Sequence, residues 1–162
     1  MIEKLTKMLL FRYSNFKKYR FIDEHQKIIE ASKYVWMMKL GKKTSSIKIR
    51  EIINCGGYIV FKAPVADGEM FFIGKFSEFS ENMPEDKLHM PEYYSEIADD
   101  ENFGYAPTQF FKLHSLLPLA EEHIDKLRLE KNKKKLIDVI GTTRTAVMFI
   151  ENEEEINICL GV

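Results

Sequence analysis

The sequence has no long hydrophobic run, and this lack excludes a chain that crosses a membrane as a helix. Its longest apolar stretches are four or five residues, whereas a membrane-spanning helix needs about 20 apolar residues. The first ten residues include two lysines and a glutamate, where a secretory signal would have its apolar core. We therefore expect a cytoplasmic protein without a membrane segment.

Cysteine is scarce, and no local set of metal ligands is present. Cys55 and Cys159 are far apart and belong to no Cys-x-x-Cys pair, so buried thiols in a reducing compartment are expected instead of a disulfide or a zinc site. The four histidines are never three or four residues apart, so one helix cannot present two of them to a metal. We predict no metal site and no cofactor, although the folded chain could bring distant histidines together.

Nucleotide-binding and catalytic motifs are missing as well. Gly68 and the Gly74-Lys75 pair are separated by five residues, where a phosphate loop has four, and Phe76 stands where that loop needs Ser or Thr. No Gly-x-Gly-x-x-Gly occurs, and no local signature marks a Ser/His or Cys/His nucleophile pair. The sequence favours a protein without catalytic residues, with an enzyme of unrecognised type as the third interpretation.

What the sequence does contain is a charge asymmetry, which its net charge of −1 conceals. Residues 1–50 hold 13 Lys and Arg against 4 Asp and Glu, and residues 51–162 hold 11 against 21. Asymmetry of this kind indicates a face for a polyanion, unless the fold mixes both halves into one solvated surface. A second basic run, residues 126–135, would enlarge that face if it packed beside the N-terminal half.

The composition is that of one globular domain of the α+β class. A chain of 162 residues that is 45% hydrophobic and 30% charged can bury a core. Apolar runs over residues 58–63 and 70–79 flank an Asp67-Gly68 turn and predict an antiparallel hairpin. Gly74 predicts a bulge in it, in preference to a close approach by another backbone or a ligand. Further strands are predicted over residues 34–39, 108–115, 145–150 and 156–160.

Residues 1–33 are interpreted as an N-terminal helical extension packed on a domain that residues 34–162 form. Within the extension, residues 8–13 could be either helical or extended. Residues 14–20 are basic, with a phenylalanine and a tyrosine interleaved. Such a mixture can lie along a phosphate backbone while its rings stack on bases, although it can equally be a plain connecting loop.

The segment of residues 80–101 differs in character from the rest of the chain. It holds eight acidic residues against one lysine and shows no sustained periodicity. A segment of that length is predicted to be a long loop, with aromatic residues at its centre that could anchor it.

Two helices have clear boundary signals. Asp23 is predicted to cap a helix over residues 24–32, with His25 as a capping or surface residue. A second helix carries isoleucines on one face and ends at Gly56, because glycine accepts the left-handed conformation that closes a helix. Both helices are expected to pack on the strands.

The aromatic residues are suited to line a pocket for a base. A flipped or single-stranded base is held by stacking between rings and by hydrogen bonds to its edge. Trp36 is the best candidate, because basic residues follow it at Lys39 and Lys42. For the other rings, packing in the core is the competing interpretation. The rings considered are Tyr34, Trp36, Tyr58, Phe61, Phe72, Tyr105 and Phe110.

The order of these segments resembles the PUA-like superfamily and, within it, the EVE-type domains, over about residues 34–151. The resemblance rests on Val-Trp-Met-Met, Gly-Gly-Tyr-Ile-Val-Phe, Phe-Phe-Ile-Gly-Lys-Phe-Ser-Glu-Phe and Gln-Phe-Phe-Lys-Leu-His-Ser-Leu-Leu-Pro-Leu. It implies a small pseudo-barrel of mixed and antiparallel strands flanked by short helices. Such domains bind nucleic acid, often at a modified base, in an aromatic cleft. Many have Gly-Asp where Gly56-Gly57 stands here.

The main interpretation is therefore a non-catalytic domain that binds a base of DNA or RNA. The candidates for contact with the base are Trp36, Tyr58, Phe110, Lys112 and His114. The candidates for contact with phosphates are Lys42, Lys43, Lys48, Arg50, Lys133, Lys134 and Lys135. The alternative is a protein-interaction or regulatory module whose acidic segment, residues 80–101, docks a partner protein.

Overall fold

The computed structural model describes residues 1–68, 70–100 and 106–160. Two residues considered above, Glu101 and Tyr105, lie outside this part of the chain. The described residues form one sheet and the helices that cover it. The strands are β1 (Lys7–Arg12), β2 (Val35–Leu40), β3 (Tyr58–Lys62), β4 (Phe71–Ser80), β5 (Pro107–Pro118), β6 (Leu127–Leu129) and β7 (Val147–Asn152). The helices are α1 (Phe21–Ser32), α2 (Ser46–Asn54), α3 (Tyr93–Asp99), α4 (Glu121–Ile124) and α5 (Leu136–Val139).

The seven strands follow the order β2-β5-β4-β3-β1-β7-β6 across the sheet. Strands β1 and β3 run parallel, and each other neighbouring pair is antiparallel. The predicted α+β class is confirmed. The sheet is open, with β2 and β6 at its edges. Within the described ranges, no helix is both long and apolar enough to span a bilayer.

The predicted β3–β4 hairpin is confirmed. Tyr58 pairs with Lys75, and the register runs without interruption to the turn. The register of β4 against β5 shifts on both sides of Phe76, so the predicted bulge lies just beyond Gly74. A Cβ at Gly74 would lie 2.3 Å from the carbonyl oxygen of Ser115. Glycine is therefore required at this position because the backbone of β5 comes close, which was the less favoured interpretation.

Residues 7–12 form an interior strand of the sheet. Strand β1 lies between β3 and β7, with Leu10 opposite Val60 on one side and Met148 on the other. Met8 and Leu9 are also completely buried, as expected for a strand whose two faces are both covered. The open choice between helix and strand for residues 8–13 is thereby resolved, and residues 1–33 supply part of the same sheet as the rest of the chain.

The hydrophobic core has three parts, divided by the alternation of side chains along the strands. The inner cluster lies under α1 and α2 and contains Leu9, Phe11, Tyr13, Phe21, Val35, Met37, Ile49, Ile52, Ile59, Phe61, Ala63, Phe76, Phe111, Leu113 and Leu116. The other two parts lie on the opposite face of the sheet. The aliphatic cluster contains Ile2, Met8, Leu10, Val60, Phe71, Ile73, Leu119, Ile124, Leu127, Leu129, Leu136, Ile140, Ile150 and Ile156. The aromatic cluster contains Phe16, Trp36, Met38, Met90, Tyr93, Tyr94, Ile97 and Phe110.

Helix α1 begins earlier than predicted. Asp23 lies inside its first turn and is not the N-cap, because the helix already starts at Phe21. The side-chain oxygen of Asn15 accepts a hydrogen bond from the Phe21 N–H at 2.8 Å, which satisfies one of the free donors at the helix start. Phe21 is buried, so packing fixes the first turn.

Four further sequence predictions are wrong. His25 is fully buried and is not a surface residue. The acidic segment contains helix α3, although its anchoring through central aromatic residues is confirmed, since Tyr93 and Tyr94 are buried. Cys55 and Cys159 are both exposed free thiols, because Cys55 follows the last turn of α2 and Cys159 lies beyond the paired C-terminal residues. Of the predicted last strand, only Ile156 pairs, in an isolated bridge.

Candidate functional site

The ends of β1 and β2 face each other across a cleft of about 580 Å³, although these strands are not neighbours in the sheet. Helix α3 closes a third side. The volume lies within the range of about 300–1,000 Å³ typical of small-molecule and cofactor sites. The cleft is lined by Phe11, Arg12, Ser14, Asn15, Phe16, Phe21, Met38, Lys39, Leu40, Gly41, Lys42, Tyr93, Tyr94, Ile97 and Ala146.

Aromatic rings form the wall between the first loop and α3. Tyr93 stacks on Tyr19 with 5.1 Å between ring centroids and an interplanar angle of 11°. Tyr93 also stacks on Phe16, with 6.1 Å between the ring centroids. Tyr94 packs edge-on against Tyr93, with 5.1 Å between the centroids. Offset stacking and edge-to-face packing are the arrangements that aromatic rings prefer. The wall is therefore built from two stacked pairs of rings that share Tyr93, with Tyr94 packed edge-on.

Below this wall, a hydrogen-bond chain joins α1, α3 and β2. The His25 Nδ1 lies 2.7 Å from the carbonyl oxygen of Phe21, and a carbonyl only accepts, so Nδ1 carries the proton. Nε2 of the neutral ring then accepts from the Tyr94 hydroxyl. The same hydroxyl oxygen accepts from the Met38 N–H at 3.0 Å. The chain fixes the position of α3 over the strand edge.

The side chains of this hydrogen-bond chain, and the neighbouring Tyr93, are uncharged near neutral pH. Burial lowers the pKa of His25 to about 4, against the hydrogen bond to Phe21 that raises it. Burial also raises the pKa of Tyr93 and that of Tyr94 far above the ordinary value. A buried neutral network of this kind rigidifies a site when every member is satisfied.

The loop that forms one lip of the cleft is held by a single carboxylate. Asp67 accepts hydrogen bonds from the Tyr13 hydroxyl at 3.0 Å and from the Asn15 amide at 3.0 and 3.1 Å. Arg20 adds an ion pair. Burial opposes ionisation of Asp67, but the bonds from Asn15 and Tyr13 and the charge of Arg20 outweigh it and lower the pKa of that carboxyl. The loop is thus tied to the β3–β4 turn.

Two lysines of this loop lie over its aromatic rings. The Lys17 ammonium is 5.1 Å from the centroid of Phe16, and the Lys18 ammonium is 5.4 Å from that of Tyr19. Both lysines are exposed. This is the basic loop with interleaved aromatic residues that can follow a phosphate backbone while its rings stack on bases.

The opposite lip is basic as well. The Arg12 guanidinium donates to the carbonyl oxygens of Thr143 at 2.6 Å and Thr145 at 3.1 Å, and to that of Ile140. The Lys39 ammonium donates to the carbonyl of Lys42, and burial lowers the pKa of Lys39. The Lys42 side chain itself is exposed. Arg12 and Lys39 therefore position the backbone around the cleft, and Lys42 is available to a ligand.

None of the five residues predicted to contact a base lines the cleft. Trp36 and Phe110 are 9% and 2% exposed and pack in the aromatic cluster, beside the cleft but not on its lining. Lys112 and His114 lie on the same face of β5 as Phe110, with Lys112 opposite Trp36 of β2, and Tyr58 of β3 packs beside the aliphatic cluster. The burial of Trp36 follows from α3, which forms within a segment predicted to be a loop.

A serine of β4 and a histidine of β5 also lie together. The bulge at residues 76–78 places Ser77 Oγ 2.5 Å from His114 Nε2. Burial and the charges of Lys112 and Lys75 lower the pKa of His114. Lys112 lies over the ring of Tyr34, 4.3 Å from its centroid. These residues lie away from the aromatic cleft.

The seven predicted phosphate ligands also divide into groups. Lys42 lines the cleft, and Arg50 lies over the ring of Phe79. Lys134 is exposed and lines a second groove. The other four are in ion pairs: Lys43 with Glu81 at 2.6 Å, Lys48 with Glu130 at 3.5 Å, Lys133 with Glu151 at 3.0 Å and Lys135 with Glu153 at 3.3 Å.

The residues that build the cleft were only partly visible in the sequence. Phe16 and Tyr19 were visible as the aromatic residues of a basic loop. Tyr94 and Ile97 recur at the spacing of one helical face, a signal that the surrounding acidic residues obscured. The burial of His25 had no local signal, because its partner is Tyr94, far along the chain.

No protein-family model, curated protein or solved structure matches the chain. In the part of the chain that the structure describes, no group of three or more His, Cys, Asp and Glu side chains is arranged to hold a metal ion. The interpretation of the cleft therefore rests on its own geometry.

Proposed function

We propose that the chain is a non-catalytic nucleic-acid-binding domain of PUA-like, EVE-type architecture that takes a base, modified or not, into the aromatic cleft. The observation that carries the proposal is the pairing of stacked rings with an exposed basic lip around one cavity of about 580 Å³. Rings supply stacking, and ammonium groups at the rim supply contacts with phosphates.

The curvature of the sheet supports the architecture. Phe11 of β1 and Met38 of β2 line the same cleft, although three strands lie between β1 and β2 in the sheet. The sheet therefore bends far enough to bring these strands face to face. A strongly curved sheet with a cleft at its open seam is what a PUA-like pseudo-barrel would present.

In the proposed complex, the base enters between the loop of residues 13–20 and the end of β2, and contacts Phe16 and Tyr93 where these rings line the cleft. Lys17, Lys18 and Lys42 contact the flanking phosphates. The exposed Lys42 stands at the mouth of the cleft, where an ammonium can reach a phosphate next to the inserted base. The Arg12 guanidinium is engaged by backbone carbonyls, so its role is to hold the wall.

Fluorescence anisotropy with short single- and double-stranded DNA and RNA, with and without modified bases, tests the proposal over a series of salt concentrations. We expect binding that depends on the base and weakens with salt. For single-stranded ligands, replacing Lys17, Lys18 and Lys42 by Ala should reduce the salt slope by about 2, at about 0.7 for each phosphate that is no longer neutralised. Absence of binding to every ligand at low salt would overturn the proposal.

A substitution that fills the cleft separates the pocket from general electrostatic attraction. Ala146 is exposed and lines the cleft, so Ala146→Trp should abolish dependence on the base while leaving the salt slope in place. Ala98 is an exposed residue of α3 that does not line it. Ala98→Trp is therefore the matched control, and equal effects of both substitutions would argue against the cleft as the base site.

A protein-interaction module is the second candidate, and one observation favours it. Leu88 in the acidic segment is 87% exposed, and Met83 nearby is 41% exposed. Exposed apolar residues within an acidic surface suit a partner with a basic rim around an apolar pocket. If no nucleic acid binds, a Leu88→Ser variant compared with the natural chain in pull-down experiments would test this function.

A further inference from the structure

A second groove, with a volume of about 470 Å³, lies between α2, the turn from β6 to α5, and the start of β7. It brings together the two basic regions of the sequence, since one lysine comes from the N-terminal half and two come from the run at residues 126–135. Its lining includes Lys48, Lys131 and Lys134, with Glu130 and Phe149 beside them.

The lysines of this groove differ from their sequence neighbours. Lys131 and Lys134 are exposed along the groove, whereas Lys133 and Lys135 bind the carboxylates of Glu151 and Glu153. The side chains of this short turn therefore point in different directions. Lys133 and Lys135 are in ion pairs, whereas Lys131 and Lys134 line the groove.

Polar groups that suit a phosphodiester accompany these cations. Lys48 lies over the ring of Phe149, 4.8 Å from its centroid, and 3.5 Å from Glu130. Thr142, Thr143 and Thr145 line the same space; the Thr142 hydroxyl donates to the Val139 carbonyl, and the other two hydroxyls bond to each other. Glu130 is the one carboxylate among the lining residues, against three ammonium groups, so the groove has an excess of positive charge.

The groove and the aromatic cleft share a wall. Residues 142–147 supply lining to the groove, and Ala146 in the same stretch lines the cleft. The Arg12 guanidinium holds this stretch through the carbonyl oxygens of Thr143 and Thr145. A strand with one base in the cleft therefore needs to cross only this wall to place its next phosphates in the groove.

We infer that the groove binds the phosphodiester backbone of the strand whose base occupies the cleft. This inference rests on the proposed function and extends it, because it assigns the path of the strand and makes Lys131 and Lys134 its phosphate ligands. The binding site is then longer than one nucleotide, and affinity should rise with oligonucleotide length until the groove is filled.

The test compares a mononucleotide with a single-stranded 12-mer that contains the same base, for the natural chain and for the double variant Lys131→Ala/Lys134→Ala. We expect the variant to bind the mononucleotide unchanged and to lose about 1.4 from the salt slope for the 12-mer, at about 0.7 for each phosphate that is no longer neutralised. The control is Lys4→Ala/Lys27→Ala, which removes two exposed lysines that line neither cavity and should leave both measurements unchanged.

The possible failures are distinguishable. If the mononucleotide binds but the groove variant and the control bind the 12-mer alike, the groove is not a phosphate site. The proposal that the cleft binds the base is then unaffected. If binding of the 12-mer depends on Lys131 and Lys134 but does not change with Ala146→Trp, the proposal that the cleft binds the base is refuted. The groove would then bind phosphates independently of the cleft. If neither ligand binds, both proposals fall.

Discussion

The aromatic and aliphatic clusters cover the same face of the sheet but serve it differently. The aliphatic cluster fills its space with branched side chains, one methionine and one phenylalanine ring, and none of its members carries a hydroxyl, amide or charged group. The aromatic cluster adds two tyrosine hydroxyls and borders the cleft. Rings pack with specific geometry and provide polar groups, so the same burial that stabilises this end of the sheet also shapes a cavity.

The largest expected effect comes from Trp36→Ala in the aromatic cluster. Because the ring is buried beside α3, its loss should lower the free energy of unfolding by about 3–5 kcal/mol, and Leu127→Ala in the aliphatic cluster by about 2–5 kcal/mol. Urea unfolding measures both. Only the Trp36 variant should also disturb the cleft. A Trp36 variant of natural stability that has lost its dependence on the base would mean instead that this ring stacks on the base.

Low pH should reduce the free energy of unfolding, because His25 is buried in its neutral form beside the aromatic cluster. Its pKa is about 4 in the folded protein and 6.5 ordinarily, so the unfolded chain takes up a proton first as the pH falls. The stability is fully present above about pH 6.5, declines as the pH falls towards 4, and reaches a loss of about 3 kcal/mol. Urea midpoints of the natural chain and of His25→Gln, compared at pH 7 and pH 4.5, measure it. Identical pH dependence in both would contradict the assignment.

Removing the Tyr94 hydroxyl should lower the free energy of unfolding by less than removing the Trp36 ring. Tyr94→Phe leaves the Met38 N–H and the His25 Nε2 without their shared partner, so we expect a loss of about 1–3 kcal/mol. The control is Tyr34→Phe, whose hydroxyl reaches Asp86 at the partly exposed edge, with an expected loss of about 0.5–1 kcal/mol. Thermal unfolding of the two variants gives the difference, and a reversed order would refute the role given to the hydrogen-bond chain.

A modest loss of stability is expected from breaking the ion pairs beside the aliphatic cluster. Glu151 accepts from Arg128 at 2.7 Å and from Lys133 at 3.0 Å. Burial opposes ionisation, but these partners outweigh it and lower the pKa of Glu151 below 4.5, so its contribution is present above that pH and is lost in stronger acid. Glu151→Gln should cost about 1–2 kcal/mol at pH 7. Equal stability of variant and natural chain at pH 7 would show that the pairs contribute nothing.

The hairpin and the strand class could be predicted from local sequence, because alternation and the Asp67-Gly68 turn act over short distances. The interior position of β1 could not, since its partners are supplied by β3 and β7. The sequence of residues 7–12 does not predict which strands will pair with them. The continuous apolar run of Met8, Leu9 and Leu10 was the available signal, and such a run fits a buried helix segment as well as a covered strand.

The candidate site was less predictable than the fold. The residue types were anticipated, namely aromatic rings with lysines near them, but the ring given most weight, Trp36, packs beside the cleft. Its burial depends on α3, and α3 lies in a segment whose acidic surface dominates its composition. Likewise, which lysines are paired depends on Glu151 and Glu153, which lie far from those lysines in the sequence.

The interior place of β1 has a consequence for biosynthesis. One edge of this strand can pair with β3 early, but the other edge meets Val147–Asn152, which leave the ribosome only after residues 13–146. At about 5–20 residues per second, an apolar strand edge stays open for on the order of ten seconds. Pairing over such separation also slows refolding. We expect nascent chains of this protein to be most vulnerable to aggregation and most dependent on chaperones during that interval.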